Sequence, residues 1–158
     1  MKKEEPELLT IHTPKDAEMP FAYSAGYYKS KFLTELRDNK KIIGVRCPSC
    51  EKVYTPPRKI CGRCFRVMEE PVEVGPQGVL TTYTIVRFPF VDPESGKIRE
   101  TPYAYGFIQP DGADTILPHY VRYEQESDVK VGIRVEAVFR EDRTGDYRDI
   151  THFRILDE

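Results

Sequence analysis

The residues with the clearest chemistry are the four cysteines. Cys47-Pro48-Ser49-Cys50 and Cys61-Gly62-Arg63-Cys64 are two Cys-x-x-Cys units ten residues apart, and together they use every cysteine in the chain. Two such knuckles set four thiolates at the corners of a tetrahedron, the closed arrangement that structural zinc takes with sulfur at about 2.3 Å. Pro48 and Gly62 suit the tight turns that a knuckle requires. Three other uses of the same residues stay open. A rubredoxin-like iron site has these ligands, although ten residues is a short gap for one. A dithiol redox pair needs only one of the two units, and a disulfide framework belongs to an oxidising compartment. The repeated spacing favours zinc. With four cysteine ligands no position is left for an activated water, so the metal is expected to fold a ribbon, contributing on the order of 10 kcal/mol, rather than to catalyse.

The second feature is charge. The chain carries 24 basic and 26 acidic residues. Between Lys40 and Arg66, however, eight basic residues (Lys40, Lys41, Arg46, Lys52, Arg58, Lys59, Arg63 and Arg66) face one acid, Glu51. Four metal-bound thiolates offset part of this island, and the remainder can attract phosphates or an acidic protein surface. An ordinary solvated surface is the plainer reading. Other reactive groups are sparse. There is no nucleophile motif or glycine-rich phosphate loop, and His12, His119 and His152 are far apart in the sequence. His12 falls in an N-terminal arm and His152 in a strand with a cross-strand hydrogen bond as its ordinary role. His119 is placed at a rim with no partner acid.

The elements that must position these groups follow from periodicity. Residues 1–23 hold three prolines and no apolar repeat, which predicts an extended arm, disordered or ordered only against a partner. Residues 24–41 read as an amphipathic helix. Tyr28, Phe32, Leu33 and Leu36 fall at helical spacing, with Ser24 as N-cap. Its apolar face must meet its own ribbon or barrel, or another chain. Residues 42–74 are the zinc ribbon, opened by the strand Ile42-Ile43-Gly44-Val45, and Gly75-Pro76 and Gly78 mark the next boundary. Residues 75–158 carry five strand-like stretches, at about 78–88, 103–109, 114–123, 131–140 and 147–156. In the fourth, Val131, Ile133, Val135, Ala137 and Phe139 alternate with mostly polar residues. Turn material lies at Asp92-Pro93-Glu94-Ser95-Gly96, Pro110-Asp111-Gly112 and Arg143-Thr144-Gly145-Asp146. Five strands in so short a span predict a mainly β chain ending in a five-stranded OB-fold barrel, with an open sandwich as the competing β architecture.

The run Cys47-Pro-Ser-Cys50-Glu-Lys-Val-Tyr54-Thr-Pro56-Pro57-Arg58-Lys-Ile-Cys61-Gly-Arg-Cys64 resembles the ribbon of the domain-of-unknown-function 35 (DUF35) family. Gly78-Val79-Leu80-Thr81-Thr82-Tyr83-Thr84, Pro102-Tyr103-Ala104-Tyr105-Gly106-Phe107 and Val131-Gly132-Ile133-Arg134-Val135 are similar to its barrel strands. The resemblance spans roughly residues 26–156. It departs from the family at Pro118-His119-Tyr120, where glycines are usual. Pro118 removes a backbone donor and is expected to interrupt the third barrel strand, making it an edge or a bulge. The resemblance implies a helix, a rubredoxin-like ribbon and an OB-fold. It also implies a non-catalytic subunit of a hetero-oligomer with a thiolase-superfamily protein (a thiolase, an acyl-CoA synthase or a thiolase-like aldolase) that helps hold or pass an acyl-CoA. On that implication Arg58, Lys59, Arg63 and Arg66 are the groups for the phosphates of coenzyme A, which guanidinium groups can grip in pairs. Tyr54 packs on the knuckles or stacks on adenine.

Two other functions compete. A nucleic-acid module would use a positive groove lined with aromatics. Tyr83, Tyr103, Tyr105, Phe107, Tyr120 and Tyr123 supply the rings, yet from residue 75 onward ten basic residues meet fifteen acidic ones, which opposes phosphate. An independent enzyme lacks a recognisable constellation. No apolar run approaches the ~18 residues of a membrane helix, and Met1-Lys2-Lys3-Glu4-Glu5-Pro6 has no apolar stretch behind it, so a cytoplasmic location is the expectation.

Overall fold

The computed structural model describes residues 7–12, 22–89, 91 and 96–156. Part of the expected arm is built into the fold. Strands β1 (Thr10–His12) and β2 (Ala22–Ser24) pair antiparallel. Leu9 and Ile11 pack against the main core, and the Leu9 amide donates to Ser30 Oγ at 3.0 Å. These residues are ordered by their own chain and need no partner. Residues 1–6 and 13–21 of the expected arm lie outside the described residues, as do residues 92–95 of the first expected turn.

Helix α1 (Gly26–Asn39) buries Phe32, Leu33 and Leu36 on one stripe, together with Ser30. Its N-cap is Ala25, which offers no side-chain acceptor. Ser24 instead ends β2, and its hydroxyl accepts from the Gly26 amide at 3.2 Å. Lys40, in the left-handed region at φ 54°, turns the chain directly into β3.

The ribbon sheet has the order β4-β3-β5, with β3 at Ile42–Arg46, β4 at Val53–Tyr54 and β5 at Glu70–Val74. Gly44 is required by close packing, since a Cβ there would stand 2.8 Å from the Tyr54 carbonyl oxygen. The outer edge of β4 is occupied by the barrel. The Asp114 amide donates to the Val53 carbonyl and Asp114 Oδ2 accepts from the Val53 amide, both at 2.9 Å. One residue on, Thr115 Oγ1 accepts from the Thr55 amide and donates to the Thr55 carbonyl, both at 2.8 Å.

Five strands close the barrel: β6 (Gln77–Val86), β7 (Tyr103–Pro110), β8 (Leu117–Arg122), β9 (Arg134–Phe139) and β10 (Ile150–Ile155). Their order is β10-β8-β7-β6-β9, and β9 pairs with β10 to complete the circle. Only β8 and β10 run parallel, the pairing of an OB-fold. Pro118 does not interrupt β8, which is an interior strand paired on both sides. The Phe107 carbonyl opposite it faces β6, where Thr81 Oγ1 donates to it at 2.8 Å. Pro118 therefore occupies a non-hydrogen-bonded position against β7. Its missing donor points to the side that β10 reaches only from Val121 onward.

One core runs through all three parts. Phe32, Leu33 and Leu36 of α1 and Ile42, Ile43, Val53 and Val74 of the ribbon sheet join Leu80, Ile108, Leu117, Val121, Val135, Ile150 and Phe153 of the barrel in a single buried cluster. The apolar face of α1 is thus spent within the chain and is not a free docking face. A smaller cluster of Val45, Cys47, Tyr54, Cys61 and Met68 surrounds the knuckles. The Tyr28 hydroxyl ties α1 to it by donating to the Met68 carbonyl at 2.9 Å.

Candidate metal centre and the basic knuckle

The two knuckles are built alike. In the first, the Cys47 amide donates to the Lys52 carbonyl and the Glu51 amide to the Cys47 carbonyl. In the second, Cys61 and Arg66, and Phe65 and Cys61, repeat the pattern, all at 2.9–3.0 Å. The residue after each second cysteine takes the left-handed conformation, Glu51 at φ 59° and Phe65 at φ 56°. Gly62 is not needed for a positive φ. It makes room for Arg58, whose Nη2 would stand 2.7 Å from a Cβ at that position.

This geometry converges the sulfurs. The Sγ atoms of Cys47, Cys50, Cys61 and Cys64 lie within 4.8 Å of one another, with Cys50 and Cys61 3.7 Å apart. A tetrahedron with metal–sulfur bonds of about 2.3 Å has edges of about 3.8 Å. The set is close to that size and fits a tetrahedral metal ion. Cys47 and Cys61 are buried, while Cys50 and Cys64 are partly exposed.

The electrostatics agree. The Tyr54 hydroxyl, 3.4 Å from Cys61 Sγ, draws the Cys61 thiol down to about 6, helped by the amides of Cys64 and Arg63. Against the pull of the Lys52 amide, burial and the other three sulfurs push Cys50 up to about 12. Four thiolates this close repel one another, and a divalent cation at their centre removes that repulsion. Four cysteines gathered so, in a zinc-ribbon domain, indicate structural zinc.

Tyr54 proves to be a packing residue. It is buried, its hydroxyl is on Cys61, and the Arg58 guanidinium covers its ring at 4.0 Å from the centroid. No face remains for adenine. Arg58, Lys59, Arg63 and Arg66 are all exposed on or beside the second knuckle. Among the described residues no carboxylate lies within ion-pair reach of any of them. Lys41, Arg46, Arg134, Arg140 and Arg154, by comparison, have acidic partners. The groove beside Arg58, Lys59, Arg63 and Arg66 is lined by Arg46, Pro48, Val67, Glu69 and Glu70, which include none of these four cations.

His119 and His152 lie in the barrel, away from this site. His119, expected at a rim, is buried in the barrel with its ring edge-on to Phe153 at 5.7 Å. Burial pushes it down to about 4, so it is neutral near pH 7. Its Nδ1 accepts from the Tyr120 amide at 2.9 Å. His152 is within 2.9 Å of the Thr151 hydroxyl of its own strand, in place of a cross-strand partner.

Sequence reasoning missed the apolar side of the second knuckle. Ile60, Phe65 and Val67 are 42 %, 80 % and 46 % exposed. Ile60 and Val67 sit side by side across an antiparallel bridge at its base. The signal was available in Cys64-Phe65, an aromatic residue where the first knuckle has Cys50-Glu51.

Comparison with known proteins places this architecture. Residues 35–68 match the ChsH2 rubredoxin-like zinc ribbon domain, and residues 71–140 match the ChsH2 C-terminal OB-fold domain. A DUF35 domain-containing scaffold protein of Methanocaldococcus jannaschii is 35% identical over 106 residues, covering 66% of this chain and 72% of the relative. One from Pyrococcus furiosus is 29% identical over 117 residues, or 74% and 82% of the two chains. Among solved structures, a DUF35-family protein of unknown function from Sulfolobus solfataricus matches with a TM-score of 0.57 at 24% identity, over 82% of this chain and 84% of the other. A chain of the Ltp2-ChsH2(DUF35) aldolase matches with a TM-score of 0.58 at 18% identity, over 80% and 91%. Both structures share the fold. Ribbon, barrel and the identity to the Methanocaldococcus protein agree, and the chain belongs to the DUF35 family.

Proposed function

We propose that this chain is a non-catalytic, zinc-binding subunit that joins a thiolase-superfamily protein and assists it in binding or passing an acyl-CoA. The observation that carries the reading is the pairing of a four-thiol centre with cations on and beside one knuckle that have no carboxylate partner among the described residues. Cys47, Cys50, Cys61 and Cys64 would hold zinc, which supplies a tetrahedral cross-link and no open coordination position. That cross-link fixes the knuckle from which Arg63 and Arg66 project, with Arg58 and Lys59 beside it. Such a surface suits a CoA thioester held mainly by a partner, with its phosphates in reach of Arg58 and Arg63. Relatives named as scaffold proteins, and a structural neighbour from an aldolase complex, support assembly with another protein. The reacting groups would then lie on the partner.

The nucleic-acid reading loses support in the barrel. Tyr103 and Tyr105 pack edge-on against Tyr120 at 5.6 and 5.1 Å, and Arg99 covers the Tyr120 ring at 3.6 Å. The rings satisfy one another instead of forming an open stacking platform.

The test begins with purification of the tagged chain from its native host and mass spectrometry of what co-purifies in stoichiometric amount. A thiolase-superfamily chain is the expected result. Nucleic acid or a replication factor in its place would overturn the reading. With the complex in hand, Arg58→Glu with Arg63→Glu is expected to weaken CoA binding while the circular dichroism spectrum stays unchanged. Unaltered CoA affinity would remove these two residues from the phosphate contact.

A further inference from the structure

The apolar side of the second knuckle is not explained by the fold. Phe65 holds a left-handed backbone position, φ 56°, that costs a side chain with a Cβ roughly 1–2 kcal/mol. The equivalent Glu51 shows that the knuckle closes with a polar residue there, through the same amide-to-cysteine bond. Phe65 is also 80 % exposed, the most of the exposed large hydrophobic residues among those described. An aromatic ring in a costly backbone conformation, projecting into water, gains nothing inside this chain.

Its surroundings are patterned. Lys59-Ile60 and Arg63-Cys64-Phe65-Arg66-Val67 place a cation beside each exposed apolar residue. Those cations have no acidic partner among the described residues, whereas Glu70 on the neighbouring strand is paired with Arg46. The bridge between Ile60 and Val67 holds the base of the knuckle rigid, and the sulfur cluster fixes its tip. A rigid aromatic tip with an apolar base and a cationic collar is the anatomy of an interface anchor: a desolvated aromatic at the centre and charge at the rim.

We infer that the second knuckle is the docking tip of this subunit, with Phe65 seated in an apolar socket of the partner protein and Lys59 and Arg66 facing an acidic rim around that socket, which leaves Arg58 and Arg63 to the CoA phosphates. The inference rests on the hetero-oligomer reading above and names the surface that makes it. The basic collar speeds encounter with the acidic rim, and the apolar contact sets how long the complex lasts.

The experiment uses the zinc-loaded full chain and the thiolase-superfamily protein that co-purifies with it, without CoA, followed by surface plasmon resonance at several salt concentrations. Phe65→Ala is expected to weaken association by about 30-fold or more, chiefly through faster dissociation. Lys59→Glu with Arg66→Glu is expected to slow association, with the loss greatest at low salt. Phe88→Ala, 69 % exposed just beyond the end of β6, serves as the control and is expected to bind as the parent does. Zinc content and circular dichroism confirm that each variant is folded.

If the parent forms no complex, the hetero-oligomer reading fails and takes this inference with it. A parent complex that Phe65→Ala leaves intact overturns the inference alone. Charge variants that lower CoA affinity yet leave protein association unchanged overturn the acidic rim and return the collar to CoA. Homodimers of the parent that Phe65→Ala dissolves, with no effect on the heteromeric complex, overturn it in favour of self-association.

Discussion

Stripping the metal is expected to unfold the barrel along with the ribbon. Ile42, Ile43, Val53 and Val74 are the ribbon's share of the main core, and all four are buried. At about 1.5–3 kcal/mol for each buried aliphatic side chain, their burial against α1, one another and the barrel is worth roughly 6–12 kcal/mol. A whole domain is stable by only about 5–15 kcal/mol. Structural zinc supplies a further contribution, on the order of 10 kcal/mol, to the segment that holds these side chains in place. Once the knuckles open, β3 and β4 lose their anchor, and the barrel loses more than it can spare. Hydrogen exchange read by mass spectrometry tests this on zinc-loaded chain and on chain treated with a chelator under reducing conditions. Peptides around Leu80, Ile108 and Phe153 report on the barrel, and those between Cys47 and Met68 on the ribbon. Protection should fall in both sets together as chelator is added. Barrel peptides that keep their protection while the ribbon exchanges freely would refute the shared-core reasoning.

Two further outcomes follow from buried titratable groups. Asp149 is fully buried and accepts from the amides of Thr144 and Gly145, at 2.9 and 2.8 Å, and from Arg140 Nε at 2.9 Å. Asp149→Ala leaves the amides of Thr144 and Gly145 without their acceptor and removes the partner of Arg140, and should cost about 3 kcal/mol, read as a lower denaturant midpoint at constant slope; a loss below about 1 kcal/mol would contradict this. His119 titrates near 4 in the fold and near 6.5 when unfolded, so the unfolded chain binds the extra proton between those values. Stability from its neutral form is complete above about pH 6.5 and falls as pH drops toward 4, by about 3 kcal/mol in all. His119→Gln should flatten that slope relative to the parent in chemical denaturation across the window, and an unchanged slope would show that His119 is not its source.

The parts that could be read in advance were those written in local spacing. Two Cys-x-x-Cys units bring their sulfurs together because each knuckle closes on itself, and the alternation that buries Val135 and Ala137 needs no knowledge of the neighbouring strand, although Val131, 65 % exposed, lies before β9 and outside the pattern expected of it. What stayed hidden depends on residues far apart in the chain. Pro118 reads as a strand breaker, and only the register against Phe107 shows that its missing donor faces an unpaired flank. Ser24 has the right chemistry for a helix cap, but β1 claims it for a strand pair and the cap position moves one residue on, to Ala25. The helix face was legible as apolar, but its partners Val74, Leu80 and Phe153 were not. Tyr54 looked available for stacking until Arg58, four residues on, was found lying across its ring.

The edge of β4 carries a consequence for how such a chain tolerates change. Its outer backbone groups are taken up by Asp114 and Thr115 from the turn between β7 and β8, so the ribbon sheet has no free margin on that side. An exposed edge is a template on which other chains can pair and aggregate. Inserting residues between Asp111 and Ile116, or lengthening the join at Gly75-Pro76, would slide that seal off and uncover it. Extra length is better placed in the long connection between β6 and β7, which leads away from the seal. The permissive and forbidden sites for tags, fusions and circular permutation are therefore set by one strand of two residues.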